Sequence, residues 1–126
     1  MSLRTPLGKV RGLGSAKDGT EHFWLQRVTA LALIPLTIWF LYFLVSSVGS
    51  EYATTILQLK KPLVAIPMLL LLITGFYHMK LGLQVVIEDY VTAPALKFAG
   101  LLLNTFACTA LGLACVYAVL KIGFGG

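Results

Sequence analysis

The sequence predicts an all-α membrane protein with three transmembrane helices, and composition and the placement of apolar residues carry that prediction. Hydrophobic residues make up 58% of the 126-residue chain and charged residues 12%, with a mean hydropathy of +0.87. A soluble domain is about a quarter charged, so this chain has too little polar surface to face water all round. Its apolar residues gather in three long blocks, each of the length that crosses a hydrocarbon layer of about 30 Å. One domain, residues 1–126, accommodates all three.

Residues 1–20, rich in Gly, Ser and Lys, read as an extended or loosely ordered arm, with Asp18 or Thr20 able to cap a helix beginning near Glu21. No apolar core of the kind a cleavable signal needs precedes residue 28, so the first span is expected to be its own insertion signal. The first helix is expected over about 21–48. It opens on the aromatic boundary segment His22-Phe23-Trp24 and carries Pro35, which should kink it. A short connection then leads to Lys60-Lys61-Pro62, where Pro suits a first helical turn. The second helix is expected over about 62–88 and the third over about 96–121, with Thr92-Ala93-Pro94 as the turn between them.

Charge orients the three spans. Arg4, Lys9, Arg11, Lys17, Arg27 and Lys97 belong to one side, and Lys60, Lys61 and Lys121 to the other. Six against three puts the N-terminus and the Glu88–Lys97 loop in the cytoplasm and the C-terminus on the opposite face. The net charge of +5 therefore reads as a flank for anionic membrane lipids, not for nucleic acid. Cys108 and Cys115 lie seven residues apart on one helix, about 10 Å along its axis. That is beyond disulfide reach, and both read as packing residues. In the third helix Gly100, Asn104, Cys108 and Gly112 recur every four residues, as do Ala110, Ala114 and Ala118. Such ladders let helices approach closely in lipid, and two of them on one helix imply neighbours beyond this chain.

His78 is the residue that asks for chemistry. It lies in the second block, about 13 Å from the expected cytoplasmic end, where an ionisable group is costly unless paired. One reading is a structural histidine bonded to a backbone or hydroxyl group. The other is a metal ligand. Gly75 and Gly82 share its face and would leave a flat surface for a planar macrocycle whose iron the imidazole binds. Asp89 returns to the same face eleven residues on, and Tyr90 follows at the boundary. Iron for electrons and a wet polar site for protons suit a quinone-reducing protein.

The stretch His78-Met79-Lys80-Leu81-Gly82-Leu83-Gln84-Val85-Val86-Ile87-Glu88-Asp89-Tyr90-Val91 resembles the signature of D-type membrane-anchor subunits of succinate dehydrogenase, the succinate:ubiquinone oxidoreductase of respiratory complex II. Gly14-Ser15-Ala16-Lys17 and His22-Phe23-Trp24-Leu25-Gln26-Arg27-Val28-Thr29-Ala30 resemble the family's N-terminal region, and the likeness covers the whole chain. It implies that His78 supplies one axial ligand to haem b, the other coming from a C-type cytochrome b anchor. It implies that Tyr90 hydrogen-bonds the ubiquinone head group with Asp89 beside it, and that Arg27 lies near the haem propionates. His22 does not align with the upstream histidine of some relatives and is given no haem role. Lys80 reaches a propionate or lipid phosphate, or snorkels to the interface.

The resemblance further implies a flavoprotein subunit holding FAD and an iron–sulfur subunit as partners, in the bacterial cytoplasmic membrane ahead of the mitochondrial inner membrane. The chain itself has no nucleotide-binding glycine pattern and no iron–sulfur cysteine set, so it reads as a non-catalytic anchor. The rival readings are the anchor of a quinol:fumarate reductase and a small structural or proton-relay subunit. The second lacks another buried acid to relay through.

Overall fold

The computed structural model describes residues 5–11 and 15–125. The described chain is helical, with no strand: α1 (Pro6–Arg11), α2 (Ser15–Ser47), α3 (Tyr52–Lys60), α4 (Pro62–Tyr90) and α5 (Pro94–Gly123). Three of these contain spans long and apolar enough to cross a membrane, Gly19–Ser47, Pro62–Tyr90 and Pro94–Gly123. The expected fold class is therefore the observed one.

Two segments differ from expectation. The arm is not extended throughout, because α1 occupies Pro6–Arg11 and α2 already begins at Ser15. Once a long helix exists, adding a residue to its end needs no new nucleus, so it propagates back through Ala16, Lys17 and Glu21. Asp18 and Thr20 consequently lie inside α2 and do not cap it. Arg4 and Gly14, used above for charge and resemblance, lie outside the described residues. The connection after the first span is also helical, as α3. Its Ala53, Leu57, Gln58, Leu59 and Lys60 are good helix formers. Pro62 ends it by holding Lys61 extended (φ −71°, ψ 131°) and then serves as the first residue of α4.

Prolines and one glycine make the remaining corners. After α2, Gly49 turns the chain with φ +79°, a left-handed conformation that residues with a Cβ rarely adopt. Between α4 and α5 only residues 91–93 are non-helical, with Pro94 starting α5. That connection is tighter than the expected loop from Glu88 to Lys97. Helices α2 and α4 continue through Pro35 and Pro67 without interruption.

At 1.5 Å per residue α2 is about 50 Å long, against a hydrocarbon layer of about 30 Å. Its first turns therefore project into the aqueous boundary, carrying exposed Glu21, Phe23 and Trp24.

Helix α4 is the centre of the arrangement, with α2 on one side and α5 on the other. Both contacts are antiparallel. Against α2, Gly75, His78 and Gly82 meet Leu33, Thr29 and Gln26 in turn. Against α5, Phe76 and Ile87 meet Gly112 and Gly100. A Cβ on Gly112 would lie 3.4 Å from Phe76 Cγ, and one on Gly100 would lie 3.3 Å from Ile87 Cγ2. The first small-residue ladder thus sets the α4–α5 distance. Between those glycines, Asn104 Nδ2 donates to the Lys80 carbonyl at 2.9 Å, and Cys108 Sγ donates to Asn104 Oδ1 at 3.3 Å. Both cysteines are free thiols.

Among the described residues only Met68, Leu81, Asn104 and Cys108 are buried, all on α4 and α5. The other apolar side chains are half-buried or face outward, the latter as Leu31, Ile38, Val45, Leu103 and Leu113 do. In water such a surface would aggregate. In a bilayer it is the normal exterior.

Candidate functional site

His78 sits mid-way along α4 on the face that α2 covers, and it is half-buried. Its Nδ1 lies 2.9 Å from Thr29 Oγ1. The same Thr29 hydroxyl lies 2.6 Å from the Leu25 carbonyl and 3.1 Å from the Gln26 carbonyl, one turn back on α2. Carbonyl oxygens only accept, so the single hydroxyl hydrogen is donated to them, chiefly to Leu25. Toward His78, Oγ1 can then only accept. An Nδ1–H donor suits that acceptor, and a ring with its one proton there keeps the lone pair on Nε2. That tautomer presents Nε2 as the ligating nitrogen.

The donor set of the chain suits one kind of metal group. Among the described residues no three His, Cys, Asp or Glu side chains come together, so nothing here encloses a bare ion. A porphyrin iron brings four equatorial nitrogens of its own and asks the protein only for axial donors. One imidazole with a lone-pair nitrogen fits that need. The glycine platform, however, is not bare. A Cβ on Gly75 would meet Leu33 Cδ2 at 3.9 Å, and one on Gly82 would meet Gln26 Nε2 at 3.7 Å. These glycines admit α2 close to α4, so the flat surface expected from sequence is used for helix packing.

Arg27 stands two residues before Thr29, about 3 Å along the axis from the level of His78. It is exposed, and its guanidinium lies over the Phe23 ring, 5.1 Å from the centroid. It therefore points away from the α4 contact. Asp89 and Tyr90 are the last two residues of α4 and are both exposed, Tyr90 by 81%. Twelve residues separate Tyr90 from His78, about 18 Å along the helix. The structure thus keeps two groups apart: His78 with Thr29 within the span, and Asp89 with Tyr90 at its end. Glu88 accepts from Gln84 Nε2 at 3.0 Å and is exposed, a solvated helix-end charge.

Thr29 and Gln26 both stand in the His22–Ala30 stretch, but neither has a role in the sequence reading. Both belong to a polar stripe with His22, at positions 22, 26 and 29 of one α2 face. His22 Nε2 and Gln26 Oε1 are buried atoms without a hydrogen-bond partner among the described residues. The spacing of four and then three was the available signal.

A family model described as succinate dehydrogenase/fumarate reductase transmembrane subunit matches residues 1–116. The chain belongs to that family. It is 43% identical over 95 residues to a protein of Rickettsia bellii, covering 75% of this chain and 76% of that one. A Rickettsia conorii protein is 33% identical over 122 residues, 96% of this chain and 97% of the relative. One from Paracoccus denitrificans is 31% identical over 125 residues, 99% and 96% of the two chains. All three are named succinate dehydrogenase hydrophobic membrane anchor subunit. No solved structure matches the chain. Membership makes this a multi-pass membrane anchor that associates with other succinate dehydrogenase subunits. The resemblance to D-type anchors read from the His78–Val91 stretch agrees with it.

Proposed function

We propose that this chain anchors a succinate:ubiquinone oxidoreductase, supplies one axial ligand to haem b through His78, and forms part of the ubiquinone site with Tyr90 and Asp89. The observation that carries the reading is the single mid-span imidazole whose Nδ1 is taken up by Thr29 Oγ1 at 2.9 Å, so that Nε2 is the nitrogen left to bind iron. When bound, haem b supplies a one-electron centre inside the bilayer. This chain contributes the nitrogen, and Arg27, two residues from Thr29 on α2, is the cation for the propionates once its side chain leaves the Phe23 ring. A flavoprotein with FAD oxidises succinate, an iron–sulfur subunit carries the electrons, and a C-type cytochrome b anchor provides the second haem ligand. The chain performs no dicarboxylate chemistry itself and works in a bacterial cytoplasmic membrane.

Ubiquinone is lipid-soluble, whereas the protons for its reduction come from water. The end of α4 is where both can meet. There the Tyr90 hydroxyl donates to a quinone carbonyl, and Asp89 orients the site or passes protons to it.

One imidazole cannot give a six-coordinate haem, so the chain expressed alone is expected to purify without stoichiometric haem b. Co-expression with the other three subunits should yield a four-subunit complex with a b-type absorption band. A six-coordinate haem b on the isolated chain, or a haem-free complex of the four, would show the assignment to be wrong.

The orientation proposed from charge places the N-terminus and the α4–α5 connection in the cytoplasm. Lys60 and Lys121 line one cavity at the other end, together with Tyr52 and Ile56, so the minority cations gather on one side as the orientation requires. A periplasm-dependent reporter at the C-terminus is expected to be active, and the same reporter at the N-terminus inactive. The reverse pattern would invert the topology.

A further inference from the structure

We infer that Thr29 is a positioning residue for the haem iron ligand: its hydroxyl holds His78 in the ligating tautomer and tunes the iron through the imidazole. The inference rests on the axial-ligand reading of His78 and adds a residue on a different helix. Thr29 Oγ1 is committed as a donor to the Leu25 carbonyl at 2.6 Å, with Gln26 O at 3.1 Å. It is therefore a one-way acceptor for His78 Nδ1–H at 2.9 Å. An ordinary threonine could rotate its hydroxyl and donate to the ring instead, which would place the ring proton on Nε2 and block ligation. Here that rotation would give up the 2.6 Å bond to the Leu25 carbonyl, which favours the acceptor role.

The contact also fixes the ring in space. His78 and Thr29 lie 49 residues apart, and their partnership is set by the antiparallel register in which Gly75 faces Leu33 and Gly82 faces Gln26. The two glycines let α2 approach closely enough for a hydroxyl to reach the ring, which gives them a purpose other than bearing a macrocycle. A hydrogen-bond acceptor on the remote imidazole nitrogen increases electron donation from the ligating one. Ferric iron gains more from that than ferrous iron does, so Thr29 lowers the haem potential and tightens ferric haem binding.

The test uses the four-subunit complex carrying Thr29→Val, Thr29→Ser or Thr29→Ala. Val keeps the shape and removes the acceptor, whereas Ser keeps the acceptor. Thr29→Val is expected to bind ferric haem about tenfold more weakly than ferrous haem relative to wild type. For a one-electron couple that is a rise in midpoint potential of about 59 mV. The low-spin ferric EPR signal should shift with it, and Thr29→Ser should restore both. If Thr29→Val does not assemble, Thr29→Ala gives the same reading without the branched side chain. Loss of haem from Val and Ala with retention in Ser supports the inference. A wild-type potential and EPR signal in Val or Ala, or a Ser variant that behaves like Val, overturns it. Haem content of His78→Leu, measured in parallel, judges the ligand reading separately: haem retained there removes the premise, whereas haem lost there with an unchanged Thr29→Val potential removes only this inference.

Discussion

His78→Leu is expected to give an assembled complex that has lost its haem b, with haem content per complex down by more than about tenfold. Outer partners of a metal-bound histidine are worth about 10–100-fold in affinity, and removing the ligand itself removes an iron bond as well. The fold should survive because the substitution strands no polar atom. Thr29 Oγ1 still donates to the Leu25 carbonyl, so deleting His78 leaves no buried donor unpaired. Leucine suits a half-buried site within a span. Absorption spectroscopy of the purified complex, normalised to FAD, measures the outcome. Wild-type haem content and an unchanged spectrum would make His78 a structural histidine whose whole task is its bond to Thr29.

Tyr90→Phe is expected to slow ubiquinone reduction by roughly 10–100-fold while leaving succinate oxidation with a soluble artificial acceptor near wild type. The factor follows from losing one hydrogen bond to an oxygen that gains negative charge, about 1.5–3 kcal/mol. A donor fixed in advance toward developing charge acts mainly on the reduction step. Phe keeps the ring and deletes only the hydroxyl. Because Tyr90 is 81% exposed in the chain alone, the change should alter stability by no more than about 0.5 kcal/mol. Asp89→Asn should have a milder effect on the same reaction. Steady-state assays with ubiquinone and with the soluble acceptor separate these outcomes. Wild-type rate and KM for ubiquinone would make Tyr90 an aromatic anchor at the headgroups.

Both predictions concern residues that stand out in one dimension. A histidine within an apolar block, followed by Asp-Tyr where that block ends, is visible because polarity is rare there. The three spans were legible for the same reason. A run of apolar residues longer than the hydrocarbon is thick has only one way to satisfy its backbone. The proline-marked starts at Pro62 and Pro94 were equally local. Helix α3 and the early start of α2 were not, because both turn on helix propagation in polar sequence, where hydrophobic periodicity is weak.

What the sequence by itself determined, then, is the number of membrane spans and the helix ends that bound them, to within a turn except at the start of α2. Only the tertiary structure decided that α4 is the middle helix, that α2 meets it with Thr29 opposite His78, and that Gly75 and Gly82 face Leu33 and Gln26. The reason lies in the solvent. In water the apolar stripe of a helix announces which face packs. In lipid the tails are as apolar as leucine, so all faces look alike in sequence and packing follows small-residue clefts and a few polar pairs. Gly100 against Ile87, Gly112 against Phe76, Asn104 on the Lys80 carbonyl and Thr29 on His78 are those clefts and pairs. Each joins residues at least twelve positions apart, and only the folded chain brings them together.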